Sequence, residues 1–332
     1  MSDIGNYYGS FESATQLEDN GNFLMAAIEY WMCIQYAEHG EFPVVPDTSL
    51  ESKAYDKLRK LQSKLPYAPL SKTTFIKGCQ CLKALWLYRN KYDQRFVSDE
   101  LQKKFNTGHT IGELAQHLFP SGADVSAFQM LQHQLKVLQG KTPLQIPNFP
   151  YKLKQNLWLR QTQDALNDGI KDIYEAAFTF NDVFAAVDIL HTSEDGYVAY
   201  EVKSSFDVKD VYIHDCALQY YVISHNIDLQ DMFLVYPNEN YVKSLGVEIG
   251  DLTLENCDVQ QLFIKKSILA DVLALQESVS AELKKIKPVL SKLSEPKINM
   301  GEQCENPYEC DFMRYCSNDN PDLDLEFELS IY

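Results

Sequence analysis

The stretch that decides the fold runs from Asp172 to Ser205 and reads "DIYEAAFTFNDVFAAVDILHTSEDGYVAYEVKSS". It divides into three short β-prone runs, "DIYEAAFTF", "VFAAVDILHT" and "GYVAYEVKSS", each bounded by turn residues. A fourth run, "DMFLVYP", lies at 231–237, and the intervening "VKDVYIHDCALQYYVISHN" reads as a helix. The order strand, strand, strand, helix, strand predicts an α/β core with a mixed central sheet flanked by helices.

Side chains alternate across a strand, so Glu201 and Lys203 share one face while Tyr200 and Val202 take the other. Asp188 sits near the end of the preceding run, and a hairpin through "HTSEDG" brings it close to Glu201. Two carboxylates and an ammonium converging at a sheet edge suit phosphodiester cleavage. Carboxylate oxygens hold a hard divalent ion such as Mg²⁺. The ion polarises the scissile phosphate and acidifies its bound water. A lysine alongside positions that water and balances developing negative charge. The backbone carbonyl of Val202 offers a further oxygen, Glu175 in "IYEAAF" offers a third carboxylate, and the following helix carries Gln219 among apolar neighbours. The competing reading is plain: Glu-x-Lys also suits a solvated strand face, and Glu175 is equally a surface residue.

The rest of the chain sets bounds on that choice. Its 332 residues allow one large domain or two modest ones. No run of eighteen apolar residues predicts a membrane span. The polar, acidic start lacks the sections of a signal peptide, so a cytoplasmic location is expected, with no membrane partner. The formal charge of −17 argues against a generic nucleic-acid binder. The charge is uneven, however: residues 52–104 hold thirteen Lys and Arg against four Asp and Glu, while five acids and no base follow Cys316. A local basic surface is able to bind phosphate on an acidic molecule; a solvated helix face is the duller account.

Ahead of the core, residues 10–38 read as two helices broken near Asn20–Gly21, similar to a single tetratricopeptide-type hairpin with no second copy. A helix at 50–64 sits in a proline-containing linker, and 71–138 look helical with a break around "FPSGAD". Residues 266–292 read as one long helix, and the terminal "DLDLEFELSIY" as a short strand. The expected divisions are a helical extension over 1–65, a helical part of the main domain over 66–140, the core over 141–300, and a cysteine-rich segment with acidic tail over 301–332.

Eight cysteines in a reducing compartment do not suggest a disulfide framework. Cys33, Cys216 and Cys257 lie singly in apolar segments and read as packing. The tail differs: "CENPYECDFMRYC" sets Cys304, Cys310 and Cys316 with five residues between successive cysteines, and Pro307 favours a looped ligand segment. A cluster or a zinc ion needs a fourth ligand. Cys81 is the best donor and Cys79 its competitor, too close in sequence to separate by spacing.

Together, "KGCQCLKALWLY", "FNTGHTIGELAQHLFPSG", the Asp188…Glu201-x-Lys203 set, Gln219 and the cysteine tail resemble the RecB-like PD-(D/E)xK nucleases that carry an iron–sulfur cluster. That group includes the CRISPR adaptation exonucleases, the nuclease part of AddB and a bacterial branch with a similar tail. The similarity spans roughly 71–316, outside the helical extension. It implies a restriction-endonuclease-like core in which Asp188 and Glu201 bind Mg²⁺ or Mn²⁺ and Lys203 serves catalysis. It implies that Gln219 supports the site or contacts nucleic acid. It implies that Cys81, Cys304, Cys310 and Cys316 hold a four-iron four-sulfur cluster, with structural zinc as the alternative. Many members place a histidine on the helix before the core, in a Gly-x-x-x-His-Glu pattern. Here Gly112 and Glu113 stand at that point; Glu113 is the expected substitute ligand, ahead of His109 or His117. Where members have a tyrosine four residues after Gln219 this chain has Ile223, leaving Tyr220 or Tyr221 to stack on a base.

The expected function is a metal-dependent deoxyribonuclease, an exonuclease acting on DNA ends or single strands. The alternative is a non-catalytic nucleic-acid-binding or assembly subunit that recruits a protein partner through residues 1–65. The acidic tail also admits a role as a brake competing with phosphates for a basic groove, against the simpler account of an edge strand.

Overall fold

The alternating runs pair as expected. The computed structural model of the protein describes residues 3–39, 48–126 and 150–318. Within it, β1 (Leu70–Ser71), β2 (Ala123–Asp124), β3 (Asp172–Phe180), β4 (Val183–Thr192), β5 (Tyr197–Val202), β6 (Leu229–Pro237) and β7 (Phe263–Ser267) form one sheet. The order is β2-β3-β4-β5-β6-β7, with β1 beside β4. The helices are α1 (Asp3–Asp19), α2 (Phe23–His39), α3 (Thr48–Lys64), α4 (Lys72–Gln80), α5 (Leu82–Asn90), α6 (Asp99–Gln116) and α7 (Tyr151–Asn167). After the third strand of the core come α8 (Asp210–Ile223), α9 (Glu239–Leu245), α10 (Val259–Leu262), α11 (Leu269–Ala274), α12 (Gln276–Ile286) and α13 (Met313–Asn318). The acidic tail and residues 127–138 of the expected helical stretch lie outside the described residues.

Contacts divide the chain into two units, one within 1–67 and 124–169, the other within 68–123 and 170–332. The expected boundary at 141 therefore does not describe the packing. Helix α7, assigned from sequence to the core, buries Leu153 and Leu157 in the same apolar cluster as Tyr7, Tyr30, Trp31, Met32, Ile34, Leu58 and Leu61. In this unit Gly21 closes the α1–α2 turn at φ 76°, a left-handed conformation glycine adopts without Cβ strain. Glu18 ties the helices together, accepting from Tyr30 Oη at 3.1 Å and Lys57 Nζ at 2.8 Å.

In the other unit the sheet is mixed. β3, β4 and β5 are antiparallel neighbours, β5 and β6 are parallel, and β7 is antiparallel to β6. The β3–β4 turn uses Asn181 and Asp182 at φ 49° and 57°, the pair of positive values that matches a two-residue hairpin to strand twist. The parallel step from β5 to β6 needs a crossover, which α8 supplies. Its buried side carries Cys216, Ala217, Leu218, Val222 and Ile223, and also Asp215 and Gln219. Beyond β6 the expected long helix over 266–292 is not formed. Phe263–Ser267 instead pair with β6, from Phe233↔Ser267 to Pro237↔Phe263. Two shorter helices follow, broken at Leu275, whose amide bonds to the Val272 carbonyl; a 3₁₀ turn over Lys287–Ser291 then carries Pro288.

Gly122 marks a tight approach. Its amide donates to Tyr174 Oη at 3.2 Å, and the same hydroxyl reaches the carbonyls of Gln116, at 3.1 Å, and Phe119. A Cβ at this position lands 2.2 Å from the Tyr174 ring. Gly122→Ala is expected to cost about 1–3 kcal/mol through overpacking. Urea unfolding followed by circular dichroism measures this, and an unchanged midpoint contradicts the contact.

Candidate active site

The β4–β5 ladder runs from Thr192↔Tyr197 to Ile189↔Tyr200 and ends there. β5 continues against β6 alone, with Glu201↔Leu234 and Val202↔Val235. The Lys203 amide donates to the Val235 carbonyl at 2.8 Å. Donors alternate in direction along a parallel strand, so the Val202 amide turns back toward β4, where Asp188 Oδ2 accepts it at 2.6 Å. The Asp188 carboxylate thus substitutes for a backbone acceptor where the strands fork, and it brings residues 188 and 201–203 together.

Glu201, at 1 % exposure, is the centre of the set. Its Oε1 accepts from Lys203 Nζ at 2.9 Å and from Lys72 Nζ at 2.7 Å. Its Oε2 accepts from Gln219 Nε2 at 2.7 Å, and that amide nitrogen also donates to the Ala186 carbonyl at 2.8 Å. Lys203 Nζ reaches Asp215 Oδ2 at 3.2 Å and lies 5.2 Å from the centre of the Tyr212 ring. Asp215 and Gln219 are four residues apart on α8, so they present side by side. Asp215 Oδ1 and Gln219 Oε1 are buried without a hydrogen-bond partner.

The charges move as this packing requires. Burial raises Asp188 to about 7, with Glu201 beside it adding to the rise against Lys72, the Val202 amide and Lys203. Burial opposes ionisation of Glu201 too, but Lys203 and Lys72, with hydrogen bonds from Lys72 and Gln219, hold it well below the usual carboxylate range. Burial lifts Asp215, against the pull of Lys203 and Lys72. Both lysines are raised: burial disfavours their charge, and Glu201 overcomes it.

Two members of the set, Lys72 and Asp215, escape a reading from sequence. Lys72 opens α4 behind the Ser71 cap, where a lysine looks solvated. The signal available for Asp215 was its position one turn before Gln219 on the face that meets the sheet. Glu113 is not brought into the hydrogen-bonded set. Ile111, Leu114 and Ala115 take the apolar side of α6, and this leaves Glu113 and His117 exposed, lining an open cavity with residues 250–254. His109 is exposed as well. Glu175 stands at the ladder position facing Asp188, between Tyr174↔Ile189 and Ala176↔Val187, with φ 58°. A left-handed glutamate inside a strand is uncommon and marks a locally distorted backbone. Tyr221 packs with Phe180 and His225, its hydroxyl accepting from Asn181 Nδ2 at 3.0 Å.

Cys81, Cys304, Cys310 and Cys316 line one cavity with Lys83, Phe312 and Met313. Cys79 is not among its lining residues and lies near the charges of Glu282 and Lys285. Burial raises the Cys316 thiol to about 11; Lys83 pulls it down, while Cys310, Cys304 and Cys81 add to the rise. Cys33 and Cys216 are buried, Cys257 half-buried. The segment is also held without thiols. Asp311 pairs with Lys77 and Arg95, each at 2.8 Å, and Glu295 with Lys83 at 3.0 Å and Tyr315 Oη at 2.9 Å. Gln80 Nε2 donates to the carbonyls of Gln303 and Tyr308 at 2.9 and 2.6 Å. Among the described residues, no group of three or more His, Cys, Asp and Glu side chains stands arranged to hold a metal ion, and no helix is long and apolar enough to cross a membrane.

No family model and no curated protein matches the sequence. A solved structure described as that of SSO0001 is similar at 11 % identity over 64 % of this chain and 94 % of that one, with a TM-score of 0.22.

The raised Asp188 gives a pH signature. A carboxyl whose folded pKa exceeds its unfolded one binds more protons in the folded state. Its stabilising contribution is complete at acid pH and is lost as pH climbs through about 7. Asparagine imitates the protonated carboxyl and escapes that loss. With divalent ions chelated, Asp188→Asn is expected to gain on the wild type as pH rises from about 5 to about 8, by on the order of a few kcal/mol. Thermal melts at both pH values measure the gain; a difference that is flat or shrinks with pH refutes the buried, protonated carboxyl.

Proposed function

We propose that this chain is a metal-dependent nuclease with a RecB-like PD-(D/E)xK core, cutting DNA phosphodiester bonds from ends or on single strands. The observation that carries this reading is the convergence of Asp188, Glu201 and Lys203 at the β4–β5 fork, with Gln219 fixing the second oxygen of Glu201. The charge of the set suits a divalent ion. Three carboxyls, Asp188, Glu201 and Asp215, face two ammonium groups, so full ionisation leaves one negative charge uncompensated. Burial, with Glu201 beside it, raises Asp188 to about 7, and a cation held there would favour its ionised form. Asp188, Glu201 and the Val202 carbonyl are the oxygens that would hold Mg²⁺ or Mn²⁺. Such an ion supplies polarisation of the phosphate and acidification of water.

The remaining chemistry belongs to the side chains. Lys203, aimed by Asp215 and supported on Tyr212, places a fixed positive charge beside the carboxylates, where charge builds on a phosphate in the transition state. Gln219 orients Glu201 and spares it a second buried, unpaired oxygen. Cys81, Cys304, Cys310 and Cys316 are the thiols that would hold a four-iron four-sulfur cluster, or zinc. Their thiol protons must leave on ligation, and the shared cavity beside the Lys83 charge suits that donor set.

Purified protein given Mg²⁺ or Mn²⁺ and end-labelled DNA is expected to cleave it, and Lys203→Ala to be slower by roughly a hundredfold or more. No cleavage by the wild type, or equal cleavage by Lys203→Ala, removes the nuclease reading. Protein purified without oxygen is expected to be brown and Cys310→Ala colourless; a colourless wild type containing zinc assigns the four thiols to that metal instead.

A further inference from the structure

Two ammonium groups share Oε1 of Glu201, and they are not equivalent. Lys203 is anchored elsewhere: Asp215 Oδ2 lies 3.2 Å away, and Tyr212 underlies the ammonium at 5.2 Å. The other oxygen of Asp215 is buried with no partner, so this carboxylate has a lone pair in reserve for the same lysine. Lys203 is 15 % exposed. Lys72 has Glu201 as its acid partner among the described residues, and it is 30 % exposed. It approaches from the first residue of α4, a different element from the β5–α8 pair that holds Lys203.

We infer that Lys72 is a resident counter-ion of Glu201, occupying the place a divalent cation contests, and that Lys72 leaves when a cation is bound while Lys203 stays on Asp215. This rests on the proposed reading of Asp188 and Glu201 as cation ligands. The physical ground is competition for one oxygen. Without a cation, Lys72 supplies part of the charge that lets a carboxylate at 1 % exposure remain ionised. With a cation on the same oxygen, an ammonium 2.7 Å away becomes a like charge at close range. Partial exposure gives Lys72 a way out, and its flexible stem lets the ammonium reach solvent or an anion at the mouth of the site.

Calorimetric titration of Mn²⁺ into desalted protein tests this, with Asp188→Asn as the blank for this seat. Lys72→Met, which retains the apolar stem, is expected to bind Mn²⁺ about tenfold tighter than the wild type or better. Lys72→Gln, which keeps a hydrogen bond to Glu201 without the charge, serves if the methionine variant does not fold, and is expected to tighten binding too. Lys72→Arg is expected not to. Unchanged or weaker affinity in the uncharged variants overturns the inference, as does the absence of binding by every protein. Tighter Mn²⁺ binding by Lys72→Met with no DNA cleavage by the wild type sinks the nuclease reading and leaves this one. Cleavage with unchanged affinities does the reverse.

Discussion

A carboxylate at 1 % exposure has to be surrounded by donors, and Glu201 obtains them from three elements. The start of α4 brings Lys72, its own strand brings Lys203, and α8 brings Gln219. Desolvating an ion costs several kcal/mol, and removing any partner leaves that cost uncovered. The position of α4 against α8 and β5 is therefore fixed as much by this carboxylate as by apolar contact. Gly78 shows how closely α4 also packs on α12, since a Cβ there would meet the Ile286 side chain at 2.9 Å. Asp215 extends the same constraint, because replacing Lys203 by an apolar residue would take from Asp215 Oδ2 its ammonium partner and from Glu201 Oε1 one of its two.

Part of the basic excess read from residues 52–104 is matched by acids that lie far away in sequence. Lys72 meets Glu201, Lys77 and Arg95 meet Asp311, and Lys83 meets Glu295. Trp86 Nε1 adds a bond to the Lys292 carbonyl at 2.9 Å. The cysteine segment is thus docked by half-buried ion pairs that hold Asp311 and Glu295 below their ordinary pKa range, through Lys77 and Arg95 in one case and Lys83 and Tyr315 in the other. Part of the positive stretch in sequence is therefore internal ion pairing rather than surface charge. It closes the loop between α4–α5 and the chain's later segments.

How much of this was legible follows the range of the interactions. "DIYEAAFTF" and "VFAAVDILHT" coincide with β3 and β4, because each is a β-prone run closed off by turn residues, and both strands are buried at most positions rather than on one face alone. The hairpin then fixes Asp188 against Glu201 by chain length alone. The Ile189↔Tyr200 register sets that pair, but where the ladder stops is decided by β6, which no local pattern reveals. Lys72 lies 129 positions from Glu201, so its role exists only in the folded chain. Glu113 lies outside the hydrogen-bonded set for a related reason: the spacing set its distance along α6, whereas Ile111, Leu114 and Ala115 decided its rotation. "FIKKS" is exposed at four of its five residues because β7 is an edge strand, and its pairing with β6 prevailed over a helical reading. Helix α7 carries an amphipathic pattern that shows it needs a partner, without saying which cluster supplies one.

On the proposed function, the charge distribution poses a problem that the site itself answers. A polyanion approaching a chain of net charge −17 is repelled unless positive charge is concentrated where it docks. The two ammonium groups at the β4–β5 fork are already committed to carboxylates, and burial, with Glu201 beside it, raises Asp188 to about 7. A divalent ion changes the sign of this balance. It would favour the ionised form of Asp188, add two charges and, with Lys72 displaced as inferred above, turn that ammonium outward. From one negative charge in excess with all three carboxyls ionised, the set passes to one positive, part of it at the entrance. Affinity for a phosphate backbone then arises only when the catalytic ion is in place, so substrate attraction and competence for cleavage would be created by the same event.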